Sequence, residues 1–399
     1  MRFSDNVASL EPSATLALAA RARRLREEGR SIVDLSAGEP VYGTPDFAAE
    51  AGIEAIRAGK LGYPPNPGVP ELREAIASYL GESTGHSDVT PDRVLVSNGV
   101  KQALFNCLFC LAGPGDEVLV PVPSWTSYRP QVRLTGARPV VVETRWEDRF
   151  RPDPAALESL RSDRTRVLLL NSPNNPSGAV YGLDLLGEIA AWADRHGIWV
   201  VSDEIYRRLH FGEGSAPSLL DLPDLPERSV VLDGVSKAFS MTGWRIGFSA
   251  GPRELIQKAA DLQSQTTSGA SAPSQYAAAA AFGRREQREA VVAEYRARVA
   301  ETRELATAIL TPAPGLDARP PEGGIFLWCR SENEPDTSAL AEELLIDAGV
   351  ACIPGEAFGS PGHLRFNLAV ERDVLEEGLR RALSFFEGRA GRARQSSGG

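Results

Sequence analysis

Lysine is scarce in this chain of 399 residues, which holds four lysines among 43 basic residues. Arginine therefore supplies nearly all of the positive charge, and each lysine needs an explanation. A lysine can lose its proton and form an imine with a carbonyl compound, which arginine cannot do at neutral pH. Lys237 has the most informative surroundings, because it follows Ser236, precedes Arg245 by eight residues and lies between hydrophobic runs. The other three are Lys60, Lys101 and Lys258.

Cysteine is equally scarce and forms no metal-binding pattern. The four cysteines are Cys107, Cys110, Cys329 and Cys352. The first two lie in an apolar run with helical spacing, and no second cysteine pair or histidine pair accompanies them to complete a zinc site. We therefore expect buried free thiols, no metal site and a reduced, cytoplasmic setting.

Long hydrophobic runs are also missing. No window approaches the ~20 apolar residues of a membrane span. The apolar run 14–20 precedes its arginines, whereas a signal peptide places its charges first. The net charge of −10 argues against nucleic acid as a partner, because phosphate binding needs a basic face. These features argue against a membrane protein and against a nucleic-acid-binding protein.

What the sequence does contain, from residue 93 onward, is short Val, Ile and Leu runs joined by segments that are mostly long enough for a crossover helix. This alternation predicts a parallel α/β sheet with helices on both faces. The candidate strands are 94–96, 118–120, 139–142, 167–170, 199–202, 230–232 and 245–249. In such sheets ligands bind outside the carboxyl ends of the strands.

Special residues follow three of these strands. Strand 94–96 runs into Gly99 at a strand-to-helix turn, where backbone N–H groups can bind a phosphate, although many such turns bind nothing. Strand 167–170 ends in a loop with two prolines that could aim the amide of Asn175 or form a plain turn. Strand 199–202 ends in Asp203, whose carboxylate needs a cationic partner if it is buried and none if it lies in a surface turn.

Pyridoxal 5′-phosphate (PLP) accounts for all of these positions together. A lysine holds PLP as a Schiff base, a carboxylate keeps its pyridine nitrogen protonated, and donors bind its phenolate and phosphate. We predict Lys237 as the catalytic lysine and Asp203 as the carboxylate. The predicted donors are Tyr206 and Asn175 for the phenolate, and Gly99, Val100, Ser236 and Arg245 for the phosphate.

The order of these residues resembles the fold-type I, PLP-dependent class I aminotransferases over nearly the whole chain. Their bacterial aspartate aminotransferase branch, which includes aspartate/prephenate enzymes, is the most similar, on the stretches Pro-Ser-Ala-Thr (12–15), Ala-Gly-Glu-Pro (37–40), Pro-Glu-Leu-Arg-Glu-Ala (70–75) and Lys-Gln-Ala-Leu-Phe-Asn (101–106). The most specific pieces are Asn-Ser-Pro-Asn-Asn-Pro-Ser-Gly (171–178), Ser-Asp-Glu-Ile-Tyr (202–206) and Ser-Lys-Ala-Phe-Ser-Met-Thr-Gly-Trp-Arg-Ile-Gly (236–247). The resemblance implies a mainly parallel seven-stranded sheet with helices on both faces and a smaller α+β domain. We expect the large cofactor-binding domain at 46–285, the small domain at 1–45 and 286–390, and a disordered tail at 391–399.

The resemblance also implies roles that no local pattern reveals. Trp125 would stack over the cofactor ring, and Trp125, Gly38 and Asn175 would contact the substrate. Arg365 would bind the substrate α-carboxylate. Tyr63 would reach across a homodimer with shared sites to the neighbour's cofactor phosphate. Without the resemblance, Arg365 could equally be a surface ion-pair residue.

The expected reaction moves the amino group of an L-amino acid to a 2-oxo acid such as 2-oxoglutarate. Aspartate, glutamate and aromatic amino acids are all candidates. Lys101, predicted at the cofactor site, resembles a lysine that serves acidic substrates, but it could also face solvent at a helix start. The aromatic bulk of 323–328 favours a larger side chain.

One rival function stays open, and a second is disfavoured. A PLP-dependent lyase, decarboxylase or cyclase of specialised metabolism would reuse the same residues. A non-catalytic sensor would need a DNA-binding module, which residues 1–30 are too short to hold.

Overall fold

The computed structural model describes Val7, Leu10 and residues 14–84, 89–223 and 226–396. Its centre is a seven-stranded sheet in the order β2-β8-β7-β6-β5-β3-β4. The strands are β2 (Val94–Ser97), β3 (Glu117–Val122), β4 (Arg138–Glu143), β5 (Thr165–Asn171), β6 (Trp199–Asp203), β7 (Ser229–Gly234) and β8 (Gly247–Ala250). Neighbouring strands are parallel except that β8 pairs antiparallel with both β2 and β7. The predicted mainly parallel sheet is confirmed.

Alternate residues of the central strands face two separate cores. On β5, Val167 and Leu169 pack into one apolar cluster, whereas Leu168 and Leu170 pack into the other. A strand that is buried on both faces has a continuous apolar sequence rather than an alternating one, which is why these strands were visible as short Val and Leu runs. Helices therefore cover both faces of the sheet, as predicted.

Helices precede, connect and follow the strands along the chain. They are α1 (Ala14–Glu27), α2 (Asp46–Arg57), α3 (Pro70–Thr84), α4 (Val100–Leu111), α5 (Tyr128–Leu134), α6 (Pro154–Leu160), α7 (Leu183–Arg195), α8 (Arg253–Thr266), α9 (Ala272–Gly283), α10 (Arg285–Leu310), α11 (Thr337–Asp347) and α12 (Arg372–Ser396). Within the described ranges, no helix is both long enough and apolar enough to cross a membrane.

A smaller sheet lies in the C-terminal part of the chain. Four strands in the order β12-β13-β10-β9 pair antiparallel: β9 (Leu316–Ala318), β10 (Phe326–Ser331), β12 (Ile353–Pro354) and β13 (His363–Asn367). The short strand β1 (Val33–Asp34) pairs in parallel with β11 (Val350–Ala351), so the N-terminal segment joins this part of the molecule. The domain boundaries themselves stay a prediction.

Three local expectations were wrong. The last central strand begins at Gly247 rather than Arg245, because Arg245 adopts a left-handed backbone with φ of 56° that no strand continues. Residues 391–396, expected in a disordered tail, continue α12, since Arg, Ala and Gln are helix formers that outweigh Gly391. The remainder of that tail, 397–399, lies outside the described residues. Cys107 is a buried free thiol as predicted, but Cys110 is exposed.

Candidate active site

A cavity of about 500 Å³ lies where the carboxyl ends of β5 and β6 meet the start of α4 and the small sheet. It is the place that strand topology predicts for a ligand. Its lining residues are Gly38, Glu39, Val100, Lys101, Trp125, Tyr128, Asn171, Asn175, Asp203, Ile205, Tyr206, Ser236, Lys237, Thr242, Gly243, Arg245 and Arg365. Of the thirteen residues predicted from sequence, only Gly99 and Tyr63 are missing from this lining.

Lys237 follows β7 and reaches into the cavity, where its Nζ donates a hydrogen bond to the carbonyl oxygen of Gly38 at 2.6 Å. Burial lowers the pKa of Lys237 to about 8, and the positive charges of Arg365 and Arg245 add to this effect against the opposing charge of Glu39. A sizeable fraction of the amine is therefore neutral near physiological pH. The neutral form is the one that attacks a carbonyl carbon.

Asp203 is the last residue of β6 and is 2% exposed. Burial raises the pKa of its carboxyl group to about 6, while hydrogen bonds from Tyr128 and from the backbone N–H of Ile205 act in the opposite direction. The Tyr128 hydroxyl donates to Oδ2 at 2.7 Å, and the Ile205 N–H donates to Oδ1 at 3.2 Å. Because about 6 lies below neutral pH, the carboxylate is mainly ionised there. It can hold a proton on a basic nitrogen placed beside it.

Asn175 lies in the loop after β5, which is held by its own side chains. The backbone N–H of Asn175 donates to Oδ1 of Asn171 at 2.8 Å, and Nδ2 of Asn171 donates to the carbonyl oxygen of Asp203 at 2.8 Å. These bonds tie the loop to the next strand and fix where the Asn175 amide lies. The loop is therefore a built part of the cavity rather than a plain surface turn.

Arg365, on β13, is 2% exposed and is not a surface ion-pair residue. Its Nη1 donates to Oδ1 of Asn175 at 3.0 Å and its Nη2 to the carbonyl oxygen of Ser36 at 2.8 Å. The guanidinium lies 4.0 Å from the ring centroid of Phe326. Burial lowers the pKa of Arg365 to about 10. Among the described residues no carboxylate pairs with it, so this buried cation suits an anionic ligand.

The turn between β2 and α4 forms the opposite end of the site. Gly99 has a φ of 78°, and a Cβ atom there would lie 2.6 Å from Nη2 of Arg245. Only glycine therefore allows the guanidinium to lie against this turn. Arg245 donates to the carbonyl oxygens of Thr242 (3.2 Å) and Asn98 (3.4 Å), next to the first N–H groups of α4. A guanidinium beside a helix N-terminus is suited to a phosphate.

Of four further predicted residues, three line the cavity and one lies outside it. Trp125 and Tyr206 line the cavity, and burial raises the pKa of the Tyr206 hydroxyl. Lys101 also lines it, with Nζ 5.0 Å from the ring of Trp125. Burial, assisted by Arg245, lowers the pKa of Lys101. Tyr63 is fully exposed and lies outside the cavity of its own chain.

The sequence reasoning missed Tyr128, Asn171, Glu39 and Thr242. Asn171 ends β5, so the rule that placed Asp203 after its strand could have found it. Thr242 lies within the motif 236–247 and donates to Oε2 of Glu39 at 3.1 Å. Tyr128 starts α5 and meets Asp203 across 75 positions of sequence, a contact that no local pattern signals.

Comparison with known proteins agrees with this geometry. The model of the family described as "Aminotransferase class I and II" matches residues 30–381. The chain is 42% identical to the aspartate/prephenate aminotransferase of Thermus thermophilus, over 98% of this chain and 99% of that protein. It is 36% identical to the aspartate aminotransferase of Geobacillus stearothermophilus, over 98% and 100%.

Solved structures show the same similarity in three dimensions. A structure of the aspartate aminotransferase from Thermus thermophilus with maleate superimposes with a TM-score of 0.92 at 39% identity, covering 96% of this chain and 100% of that one. An aspartate aminotransferase from Thermotoga maritima gives a TM-score of 0.90 at 34% identity. Matches of this length and identity, on a chain whose lysine, carboxylate and arginines meet in one cavity, show that it belongs to the class I and II aminotransferases and is an amino-group-transferring enzyme.

Proposed function

We propose that this aminotransferase binds PLP in the cavity around Lys237 and transfers the amino group of aspartate or glutamate to a 2-oxo acid. The observation that carries the proposal is that one cavity contains a lysine with a lowered pKa, a buried carboxylate and a buried arginine without a carboxylate partner among the described residues. Each of these groups is costly to bury alone, and a single ligand would satisfy all three.

The residues present fit PLP at each of its functional groups. Arg245, Ser236 and the N–H groups at the start of α4 would hold the phosphate, because the absence of a side chain at Gly99 lets the Arg245 guanidinium lie against this turn. Asp203 would hold the pyridine nitrogen, and Tyr206 and Asn175 would donate to the phenolate. Trp125 would lie against the ring, and Lys237 would carry the aldehyde carbon.

When bound, PLP supplies an aldehyde that joins the substrate nitrogen and a protonated ring that withdraws electrons from the substrate Cα. Asp203 keeps the proton on the ring nitrogen. Lys237, once free, accepts the proton from the substrate Cα at its Nζ and later delivers it, as a general base and then a general acid. Arg365, fixed by Asn175 and Ser36, orients the substrate through its α-carboxylate.

Lys101 supports an acidic amino donor. It adds an ammonium group to the cavity wall beside Trp125, in addition to the guanidinium of Arg365 that would bind the α-carboxylate. A second carboxylate is the group that such a charge would select. The relatives named above are called aspartate and aspartate/prephenate aminotransferases. We therefore propose aspartate or glutamate as donor and a 2-oxo acid such as 2-oxoglutarate as acceptor.

Two further parts of the proposal concern the setting of the enzyme. A homodimer with shared sites is supported by the complete exposure of Tyr63, whose predicted role requires a partner chain. A cytoplasmic location is supported by the four cysteines, which are free thiols, as a reducing compartment keeps them.

The attachment of PLP to Lys237 can be tested directly, because the chain holds only four lysines. Borohydride reduction of the protein with PLP, followed by peptide mapping, should place the modified residue at Lys237 and at none of the other three. Lys237→Ala should lose the visible absorbance of bound PLP and nearly all turnover. Lys258→Ala, which removes an exposed lysine paired with Asp261, is the matched control.

The same preparation identifies the donor. Amino acids that bleach the visible band are donors, and aspartate and glutamate should do so fastest. Modification at another lysine would refute the proposed attachment. Faster bleaching by aromatic amino acids than by aspartate would refute the proposed donor alone.

A further inference from the structure

Gln263, on α8, is a buried side chain that joins three separate segments of the chain. It is 0% exposed. Its Oε1 accepts hydrogen bonds from the hydroxyl of Ser97 at 2.7 Å and from Nδ2 of Asn106 at 3.0 Å. Its Nε2 donates to the carbonyl oxygens of Asn66 at 3.0 Å and Val96 at 2.9 Å. An amide has two donor hydrogens and two acceptor lone pairs, so every hydrogen-bonding position of Gln263 is used.

Two of these segments carry proposed cofactor contacts. Ser97 ends β2 and is followed two residues later by Gly99, where the proposed phosphate-binding turn begins. Asn66 belongs to the loop 63–68, which begins with the exposed Tyr63 and is stiffened by prolines. None of these side-chain hydrogen bonds of Gln263 goes to a lining residue of the cavity. Gln263 therefore connects the phosphate end of one site with the residue predicted to serve the neighbour's site.

Other hydrogen bonds join the same elements. The backbone N–H of Val96 donates to the carbonyl oxygen of Pro67 at 2.9 Å, which ties β2 to the Tyr63 loop. The backbone N–H of Asn98 donates to Oε1 of Gln102 at 2.6 Å, and Gln102 in turn donates to the hydroxyl of Thr267 just beyond α8. The turn is thus connected to α8 through Ser97, which precedes it, and to the residue just after α8 through Gln102, which follows it. A fully satisfied buried polar network of this kind specifies one arrangement, whereas apolar side chains would permit several.

We propose that Gln263 is a positioning residue, which holds the phosphate-binding turn of its own site and the loop that carries Tyr63 as one rigid unit. The affinity of the site for a phosphate then depends on an amide that touches neither the cofactor nor the substrate. This inference rests on the proposed function, because it assigns the phosphate of PLP to the turn at Gly99.

The experiment compares the binding of PLP with that of pyridoxal, which has the same ring and aldehyde but no phosphate. Dissociation constants are measured by absorbance for the wild-type protein and for Gln263→Leu. Loss of the amide should weaken PLP binding on the order of tenfold, as expected when buried hydrogen bonds to a binding segment are lost. Pyridoxal binding should change by less than about twofold, because the lysine and Asp203 are unaffected.

Gln275 offers a matched control. It is also 0% exposed and also fixes the Tyr63 loop region, since its Oε1 accepts from the backbone N–H of Val69 and its Nε2 donates to the carbonyl oxygen of Ala270, each at 2.7 Å. It makes no bond to the phosphate-binding turn. Gln275→Leu creates a similar packing defect. Its ratio of PLP affinity to pyridoxal affinity should stay well above the ratio measured for Gln263→Leu.

A milder variant decides the matter if Gln263→Leu does not fold. Ser97→Ala removes one hydroxyl and leaves Oε1 of Gln263 bonded to Asn106, and it should lower the same ratio severalfold. An unchanged ratio in Gln263→Leu or, where that variant is unfolded, in Ser97→Ala would overturn the inference while the proposed function stands. A wild-type protein that binds pyridoxal as tightly as PLP would instead overturn the proposed phosphate site.

Discussion

The hydroxyl of Tyr128 is bonded to the one carboxylate on which the proposed chemistry depends. Its donated hydrogen bond to Asp203 favours the ionised carboxylate and lowers the pKa that burial has raised to about 6. Tyr128→Phe removes this bond without removing the ring. The pKa of Asp203 should rise, so the acid limb of the profile of kcat/KM against pH should move upward by about one unit. Turnover at pH 7 should fall about twofold, because a pKa near 7 leaves about half of the carboxyl groups protonated.

A second buried tyrosine separates this effect from a general loss of packing. Tyr295 is 5% exposed and donates to the carbonyl oxygen of Gly43 at 2.9 Å, outside the cavity. Tyr295→Phe loses a comparable hydrogen bond and should leave the acid limb in place. A Tyr128→Phe profile that matches the wild type would show that this hydroxyl does not tune Asp203.

At the scale of single residues, the sequence was informative at the carboxyl ends of two predicted strands. Asp203 was predicted because it follows one strand, Asn175 because it lies in the proline-containing loop after another, and Lys237 because lysine is so rare. The burial of Arg365 was not predictable, because it depends on Phe326 and Asn175 from distant parts of the chain. Tyr128 was missed for the same reason.

The turn between β2 and α4 gives a prediction at the scale of an element. Gly99→Ala places a methyl group 2.6 Å from Nη2 of Arg245 and a side chain on a residue with a φ of 78°. With a ψ of 165°, this backbone conformation is one that essentially only glycine adopts; it costs another residue about 1–3 kcal/mol, and Arg245 must also move. Affinity for PLP should fall at least about tenfold, measured by equilibrium absorbance.

The control for this turn lies just beyond the other end of α4. A Cβ atom at Gly113 would meet nothing within 4 Å, so Gly113→Ala should bind PLP as the wild type does. Equal affinities of the Gly99→Ala variant and the wild type would mean that the phosphate does not bind at this turn.

Strand β7 contains a buried carboxyl group whose ionisation opposes folding. Burial raises the pKa of Asp233 from 3.8 to about 8, and the nearby charge of Glu204 acts in the same direction. The folded protein therefore binds a proton that the unfolded chain releases above about pH 4. The stability contributed by this group is complete below that pH and is lost as the pH rises through about 8.

Asp233→Asn keeps an oxygen that can accept from the backbone N–H of Gly234, which now donates to Oδ1 at 2.7 Å, and it removes the ionisation. The melting temperature of the variant should exceed that of the wild type by about 2–5 °C more at pH 8.5 than at pH 5. Asp194→Asn, at an exposed position on α7, is the control. A temperature difference that does not grow with pH would contradict the assigned pKa.

The existence of the central strands was easier to predict from the sequence than where each strand ends or in which direction it runs. The seven strands of the central sheet were all located, because strands buried on both faces have continuous apolar sequences. The antiparallel direction of β8 was not foreseen, since direction depends on how the chain returns to the sheet. The left-handed conformation of Arg245 was likewise invisible, because the contact with Gly99 that accompanies it is tertiary.

At the scale of the whole molecule, Tyr63 is a predicted cofactor-binding residue that does not line the cavity of its own chain. It is fully exposed and outside the cavity, although the resemblance assigns it to a cofactor phosphate. If that phosphate belongs to the neighbouring chain, sedimentation should give the mass of a dimer. Tyr63→Phe should weaken PLP binding on the order of tenfold or more, because the lost hydrogen bond goes to a charged group.

Mixed dimers distinguish a shared site from a separate one. In a dimer of one Lys237→Ala chain and one Tyr63→Phe chain, the only intact lysine belongs to the chain without the tyrosine hydroxyl. If Tyr63 serves the partner, this lysine meets an intact Tyr63 from the other chain, and half of the wild-type activity returns. If Tyr63 acts within its own chain, or not at all, the mixed dimer has no better site than the Tyr63→Phe parent. Recovery on mixing, measured at a PLP concentration that leaves Tyr63→Phe mostly unloaded, is therefore the result that a dimer with shared sites requires.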